Sequence, residues 1–273
     1  MDFDDRPYEL EKLKTEQEMQ KYWDMAIGLQ KTDGLTPSEY LIYLSKEHVE
    51  GRADYTQIIE DLKVYHDSNK TSDRTVEADF SSVRISEILS TDGFVLSPAT
   101  LLSYHRRLFT GIDGFEHPVG IFRSDNITKP EEVLDWYSVN YADHADILDT
   151  IKWEFSEEKE HIGSNMPTSE ILTRVTKFIA NIWRVHPFRE GNTRTIAVFT
   201  IKYLRTLGLN SDNTPFKDNS RFFRDALVLY NAPSKLYTDK YLRFFMENTF
   251  LNGNHILSTD EMLERTKRLM GGK

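Results

Sequence analysis

His186-Pro187-Phe188-Arg189-Glu190-Gly191-Asn192-Thr193-Arg194 lies between two segments whose apolar residues recur at helical spacing. Before it, Ile171, Leu172, Val175, Phe178, Ile179, Ile182 and Trp183 mark one buried face. After it, Ile196, Phe199, Ile201, Tyr203, Leu204 and Leu207 repeat the pattern. Pro187 cannot sit inside a helix, so the first helix is predicted to end near His186. Thr168 is its expected N-cap. The second helix is predicted to begin around Asn192 and to stop at Gly208. The nine residues are thus a loop joining two helices, and the fold class is all-α, mostly helical.

The loop holds the parts that phosphoryl or nucleotidyl transfer needs, since catalysis there is mostly positioning and charge neutralisation. His186 is close to neutral at physiological pH and can accept a hydroxyl proton. Glu190 offers a hard oxygen ligand suited to Mg²⁺. The first N–H groups of the second helix lack intrahelical acceptors, and Gly191 lets the backbone approach an anion closely. Arg194 brings a planar fork for phosphate oxygens. Each residue alone has an ordinary reading: a helix cap, a turn, a surface charge. Their order and spacing carry the signal. Zinc is set aside, because Pro187 breaks the face that His186 and Glu190 would share and no second His is near.

The segment resembles the signature of the Fic family, His-Pro-Phe-x-(Asp/Glu)-Gly-Asn-Gly-Arg-x-x-Arg, matched here at His186, Pro187, Phe188, Glu190, Gly191, Asn192 and Arg194. The resemblance implies a helical core and transfer of AMP from ATP to a Ser, Thr or Tyr hydroxyl of a target protein. His186 would deprotonate the hydroxyl and Glu190 would hold Mg²⁺. Gly191, Asn192, Thr193 and Arg194 would line the nucleotide phosphates, and Phe188 would anchor the loop. Tyr104 to Phe109 resembles the family's early helix. Gly120, Ile121, Phe122 and Arg123 resemble its following flap, a β-hairpin that aligns the target by strand addition. The similarity spans about residues 100–250.

Two positions depart from the pattern. Thr193 replaces a second Gly, and Ala197 replaces a second Arg, so the contact that binds the γ-phosphate in relatives is missing. Arg221 or Arg224 is the candidate replacement. The related Doc toxins, with Lys at the place of Thr193, transfer the γ-phosphate instead. That reaction, transfer from another nucleotide, and a catalytically weak Fic-fold binding or regulatory module stay open.

In the N-terminal third, Thr36, Pro37 and Glu39 open a helix that should end at Glu50-Gly51. Glu50-Gly51 resembles the end of the inhibitory helix found in many Fic proteins, although Lys46 stands at its Ser/Thr position. With Ala197 in place of the usual partner, Glu50 would pair with Arg194 or repel phosphate directly. The domain expectation is an N-terminal helical region, 1–70, and a Fic domain with flanking helices, 74–273, joined through the polar stretch Asp67–Asp73. Helices are also expected at about 7–30, 55–66, 82–90, 98–110, 128–143, 144–160, 216–231, 236–249 and 259–270. Tyr230 and Asn231 are candidate nucleoside contacts.

Composition narrows the partners. At 273 residues the chain can bury a sizeable core, and a net charge of −10 argues against general nucleic-acid binding. The absence of Cys excludes disulfides and thiolate chemistry. No run reaches transmembrane length, so no membrane partner and a cytoplasmic location are the expectations. Self-modification and a homodimer are open by resemblance alone.

Overall fold

Eleven α-helices carry the regular structure of the computed structural model, which describes residues 14–163, 166–210 and 215–271. The first, α1 (Glu16–Leu29), opens with a capping box between Thr15 and Glu18 and buries Tyr22, Trp23, Met25, Ala26 and Leu29. Positions 7–13 of the helix expected over 7–30 lie outside the described residues. A 3-10 turn, Gln30–Asp33, follows and closes on Gly34 in the left-handed region.

Ser38, not Thr36, caps α2 (Glu39–Val49): its hydroxyl accepts from Leu41 N–H at 3.0 Å. The reason is tertiary. Ser38 also donates its hydroxyl and its N–H to Asp79, at 2.6 and 2.7 Å, which ties the start of α2 to the helix carrying Asp79. That helix is α4 (Asp73–Ser90), preceded by α3 (Tyr55–Asn69). Of the stretch Asp67–Asp73, the first three residues finish α3 and Asp73 opens α4, leaving a short turn with Lys70 left-handed and Ser72 capping α4. Buried Asp79 also faces His66 at 3.1 Å, so α2 and α3 are both pinned to α4.

After α5 (Pro98–Phe109) the chain forms irregular loops until α6 (Ile147–Glu160). The helix expected over 128–143 does not form. Pro130 supplies no N–H, and Asp135 and Trp136 take φ of 56° and 68°, which a helix cannot hold. Instead the segment folds on itself, with Glu131 N–H on Tyr137 O and Trp136 N–H on Glu131 O, both at 3.0 Å. We refer to residues 126–143 as the strap.

The two helices flanking the motif are α7 (Thr168–Val185) and α8 (Asn192–Thr206); then come α9 (Pro215–Tyr230), α10 (Lys240–Phe250) and α11 (Thr259–Gly271). Thr168 is the first helical residue of α7, with Pro167 in the cap position. The predicted stripe of α7 is buried at Leu172, Val175, Phe178, Ile179, Ile182 and Trp183. Each such side chain contributes about 1.5–3 kcal/mol of burial. In α8 every residue from Asn192 to Leu204 is buried, so this is the central helix, packed against α4, α5 and α7. α1 packs against both α4 and α9. The fold is all-α. No helix among the described residues is long and apolar enough to cross a membrane.

Candidate active site

The motif loop is built by the ends of α7 and α8. His186 terminates α7 with φ 49°, a left-handed conformation that turns the chain before Pro187. Arg123 holds this turn. Its guanidinium donates to the carbonyls of His186 (2.8 Å), Val185 (3.2 Å), Ala142 and Asp125, and its N–H donates to Pro187 O at 2.8 Å. Gly191 begins α8 at φ 75°, and a Cβ there would lie 2.4 Å from the Phe109 ring. Both backbone and space therefore demand glycine. Asn192 clasps the loop from inside: its Oδ1 accepts from Phe188 N–H at 3.0 Å and its Nδ2 donates to Phe188 O at 2.8 Å. Phe188 is fully buried, as an anchor should be.

His105, within the Tyr104–Phe109 stretch, is a site residue that the sequence pattern does not mark. Its ring stacks on Phe188 with centroids 3.8 Å apart. Nδ1 accepts from Gly120 N–H at 2.9 Å, so Nε2 carries the proton and donates to Glu190 O at 3.0 Å. One neutral imidazole thus hooks the flap to the motif loop. Burial, with the Arg194 charge in the same direction, lowers its pKa to about 4. An unfolded His takes its proton near 6.5, while the folded ring waits until about 4. Between these values the unfolded state binds more protons, so stability falls as pH falls. His105 alone should remove ~2–3 kcal/mol between pH 7.5 and 4.5. Denaturant midpoints across that range should slope less in His105→Gln than in the native protein; equal slopes would remove His105 from the account.

His186 is almost fully buried, and neither ring nitrogen has a hydrogen-bond partner. Tyr141 from the strap lies over it at 4.4 Å between centroids, and Trp183 meets it edge-on at 5.4 Å. Burial, then the positive charge of Lys129, then those of Arg123 and Arg224 push its pKa well below the usual value. The imidazole is neutral and has a free lone pair, as a proton acceptor requires.

Glu190 sits beyond it, about one third exposed, with its carboxylate 3.0 Å from Lys129 Nζ. A pair this exposed is worth about 0–1 kcal/mol. Glu190 lines a cleft of about 340 Å³ with Asp33, Asp73, Glu77, Arg74, His117 and Arg194. Among the described residues no three acid or imidazole groups gather into a metal cage. One carboxylate facing an open, oxygen-rich cleft nevertheless suits Mg²⁺, which keeps waters and is completed by substrate phosphates.

Several predicted site residues are used differently from the expectation. Arg194 is fully buried. Its Nη2 meets Glu77 Oε1 at 2.5 Å, and its Nε lies 2.6 Å from Asp33 Oδ2, an off-axis ion pair rather than a hydrogen bond. Gln30 and Ser81 add weaker contacts, and Phe109 lies under the guanidinium. Thr193 points away from the anion nest, its hydroxyl accepting from Trp183 Nε1 at 3.1 Å. Glu50 caps the end of α2, half exposed and paired with Arg52. The Glu50–Arg194 pairing weighed from sequence is not formed; Asp33 and Glu77 occupy that guanidinium.

The flap is not a hairpin: no strand occurs among the described residues. Gly120 is bound to His105 and Arg106, and Arg123 to the motif loop, so their backbone groups have no partner strand to seek. Of the four flap residues only Ile121 presents an exposed side chain; Gly120 and Arg123 are buried and Phe122 is partly so. Arg224 grips Glu131 with two bonds of 2.7 and 3.0 Å, and Arg221 pairs with Asp225 and Glu132. Tyr230 lines a different cleft with Tyr237 and Arg243, while Asn231 donates to Ala180 O.

A family model described as Fic/DOC family matches residues 95–204. No curated protein matches the chain. Among solved structures, the chain is similar to the N-terminal Fic domain of a cell filamentation protein, a VirB-translocated Bep effector, from Bartonella quintana. The identity is 17%, the TM-score is 0.47, and the match covers 69% of this chain and 84% of that one. The matched span contains α5, the flap, the strap, α7, the whole His186–Arg194 loop and most of α8. This segment, residues 95–204, is of the Fic/DOC family.

Proposed function

We propose that this chain is a protein adenylyltransferase, moving AMP from ATP to a Ser, Thr or Tyr hydroxyl of a target protein. The observation that carries the reading is the buried, neutral His186 with two unpartnered ring nitrogens, at the head of a loop that ends on the N-terminus of α8. In the reaction a ring nitrogen of His186 takes the hydroxyl proton. The hydroxyl oxygen forms a bond to the α-phosphorus, the bond to the β-phosphate bridge breaks, and pyrophosphate leaves with its electron pair. Glu190 would hold Mg²⁺, whose charge offsets that of the phosphates. The first N–H groups of α8 and Gly191 supply the anion nest. Thr193 keeps its hydroxyl on Trp183 and adds no group to that nest, which favours the α-phosphate over the γ-transfer expected of a Lys there.

Restraint from the N-terminal region, read from sequence onto Glu50, is better assigned to Asp33 and Glu77, the carboxylates on Arg194. The test uses purified protein, Mg²⁺ and ATP labelled at the α- or the γ-phosphate. Label on protein from the α-phosphate, raised by Glu77→Gln and unchanged by Glu50→Gly, is the expected result. Label only from the γ-phosphate would make the protein a kinase. Nucleotide bound but never transferred, to the protein itself or to a cell extract, would favour the binding-module reading.

A further inference from the structure

The missing cation at Ala197 can be sought among the positive side chains that face the motif. Arg194 is sealed by Asp33 and Glu77, and Arg123 is saturated by four backbone carbonyls. Arg224 is spent on the two oxygens of Glu131. Arg189 pairs with Asp125 on the flap side of the loop. Lys129 differs from all of these. It stands on the strap, its ammonium has a single carboxylate partner, and that partner is Glu190 of the motif. It is also the strongest of the positive charges acting on His186. Its backbone is fixed, with the N–H on Ser138 Oγ at 3.2 Å and Pro130 restricting the residue before it. The fixed root carries a flexible four-carbon arm, a third exposed or less, that reaches the centre of the site.

We propose that Lys129 is the phosphate-binding cation of this site. Its ammonium leaves Glu190 for the phosphate chain of a bound nucleoside triphosphate and does the work that a cationic side chain at 197 would do. The inference rests on the nucleotide-transfer reading above. An ammonium held only by one solvent-accessible carboxylate exchanges readily for a more highly charged phosphate, while a guanidinium locked in a buried cluster does not. The move also frees Glu190 for a divalent cation, so one displacement prepares both halves of the phosphate site.

The experiment measures binding of a non-transferable α,β-methylene ATP and of AMP, each with Mg²⁺, by titration calorimetry. The proteins are the native chain, Lys129→Ala, Lys129→Arg and Arg74→Gln. Arg74 borders the same cleft but donates to the carbonyls of Asp33 and Gly34, so it is the control cation. Lys129→Ala should weaken the triphosphate analogue by about tenfold or more while changing AMP by less than about threefold. Lys129→Arg should retain most of the affinity, and melting temperatures should stay within a few degrees. Equal affinity for the triphosphate analogue in native and Lys129→Ala proteins would overturn the inference and leave the nucleotide reading standing. So would tighter binding in Lys129→Ala, which would make Lys129 a competitor for Glu190. Parallel loss for AMP and the triphosphate, or loss confined to Arg74→Gln, would also overturn it. A native protein that binds neither nucleotide would bring down the transfer reading and this inference together.

Discussion

Replacing His186 with Asn is expected to cut transfer by about 10²–10⁴-fold while leaving the protein folded. The two halves of this expectation have separate causes. The chemical loss follows because the amide has no lone pair basic enough to accept a hydroxyl proton. Folding survives because neither ring nitrogen of His186 is hydrogen-bonded, so no buried partner is orphaned. Asn is also among the few residues that tolerate the left-handed φ of 49° at this position. What is lost is packing against Tyr141 and Trp183, a matter of about 1–2 kcal/mol. Initial rates with α-labelled ATP and a denaturant titration separate the two. A folded variant that still transfers within threefold of native would remove His186 from the chemistry. The lowered pKa adds a second readout: native activity should not fall between pH 7.5 and 6, where an ordinary histidine would become half protonated.

Removing Arg194 should destabilise the protein by about 3 kcal/mol or more, a larger loss than at any exposed charge. With Ala at 194, Asp33 and Glu77 would face each other across a cavity without their cation, as would the Gln30 and Ser81 oxygens. Their partial exposure lets water reach them, which places the estimate at the lower end of the range for broken buried pairs. Combining Arg194→Ala with Asp33→Asn and Glu77→Gln should recover part of the loss, because the unpaired charges go too. The measurement is the urea midpoint of the native protein, the single variant and the triple variant. A single variant as stable as native would mean that Arg194 is not the structural pin seen here and is free to serve as a phosphate ligand in solution.

Most of the helices were legible from the chain alone, for a local reason. The α7 stripe, the Pro187 stop, the Gly191 start and the Gly208 stop each depend on residues within one or two turns of each other. The 128–143 segment failed as a helix for reasons just as local, Pro130 and the left-handed pair Asp135-Trp136. Its polar and apolar residues imitated helical spacing closely enough to hide them. Gly120 of the flap is likewise visible, but its hook to His105 and that of Arg123 to the motif loop, which leave no hairpin, are long-range events.

What the sequence determined by itself is the helical fold class and the nine-residue loop with its proton acceptor, carboxylate and helix N-terminus in fixed order. What only the tertiary structure decided is which charges that loop keeps. Asp33 and Glu77 reach Arg194 from the 3-10 turn after α1 and from α4, while Lys129 reaches Glu190 from a strap whose pattern reads as a helix. Glu50, the sequence's own candidate, stays outside with Arg52. A charge can be read from a residue letter. Its partner depends on desolvation and packing between segments far apart in sequence, 61 residues for Lys129 and Glu190 and 117 for Glu77 and Arg194, and these exist only once the chain has folded.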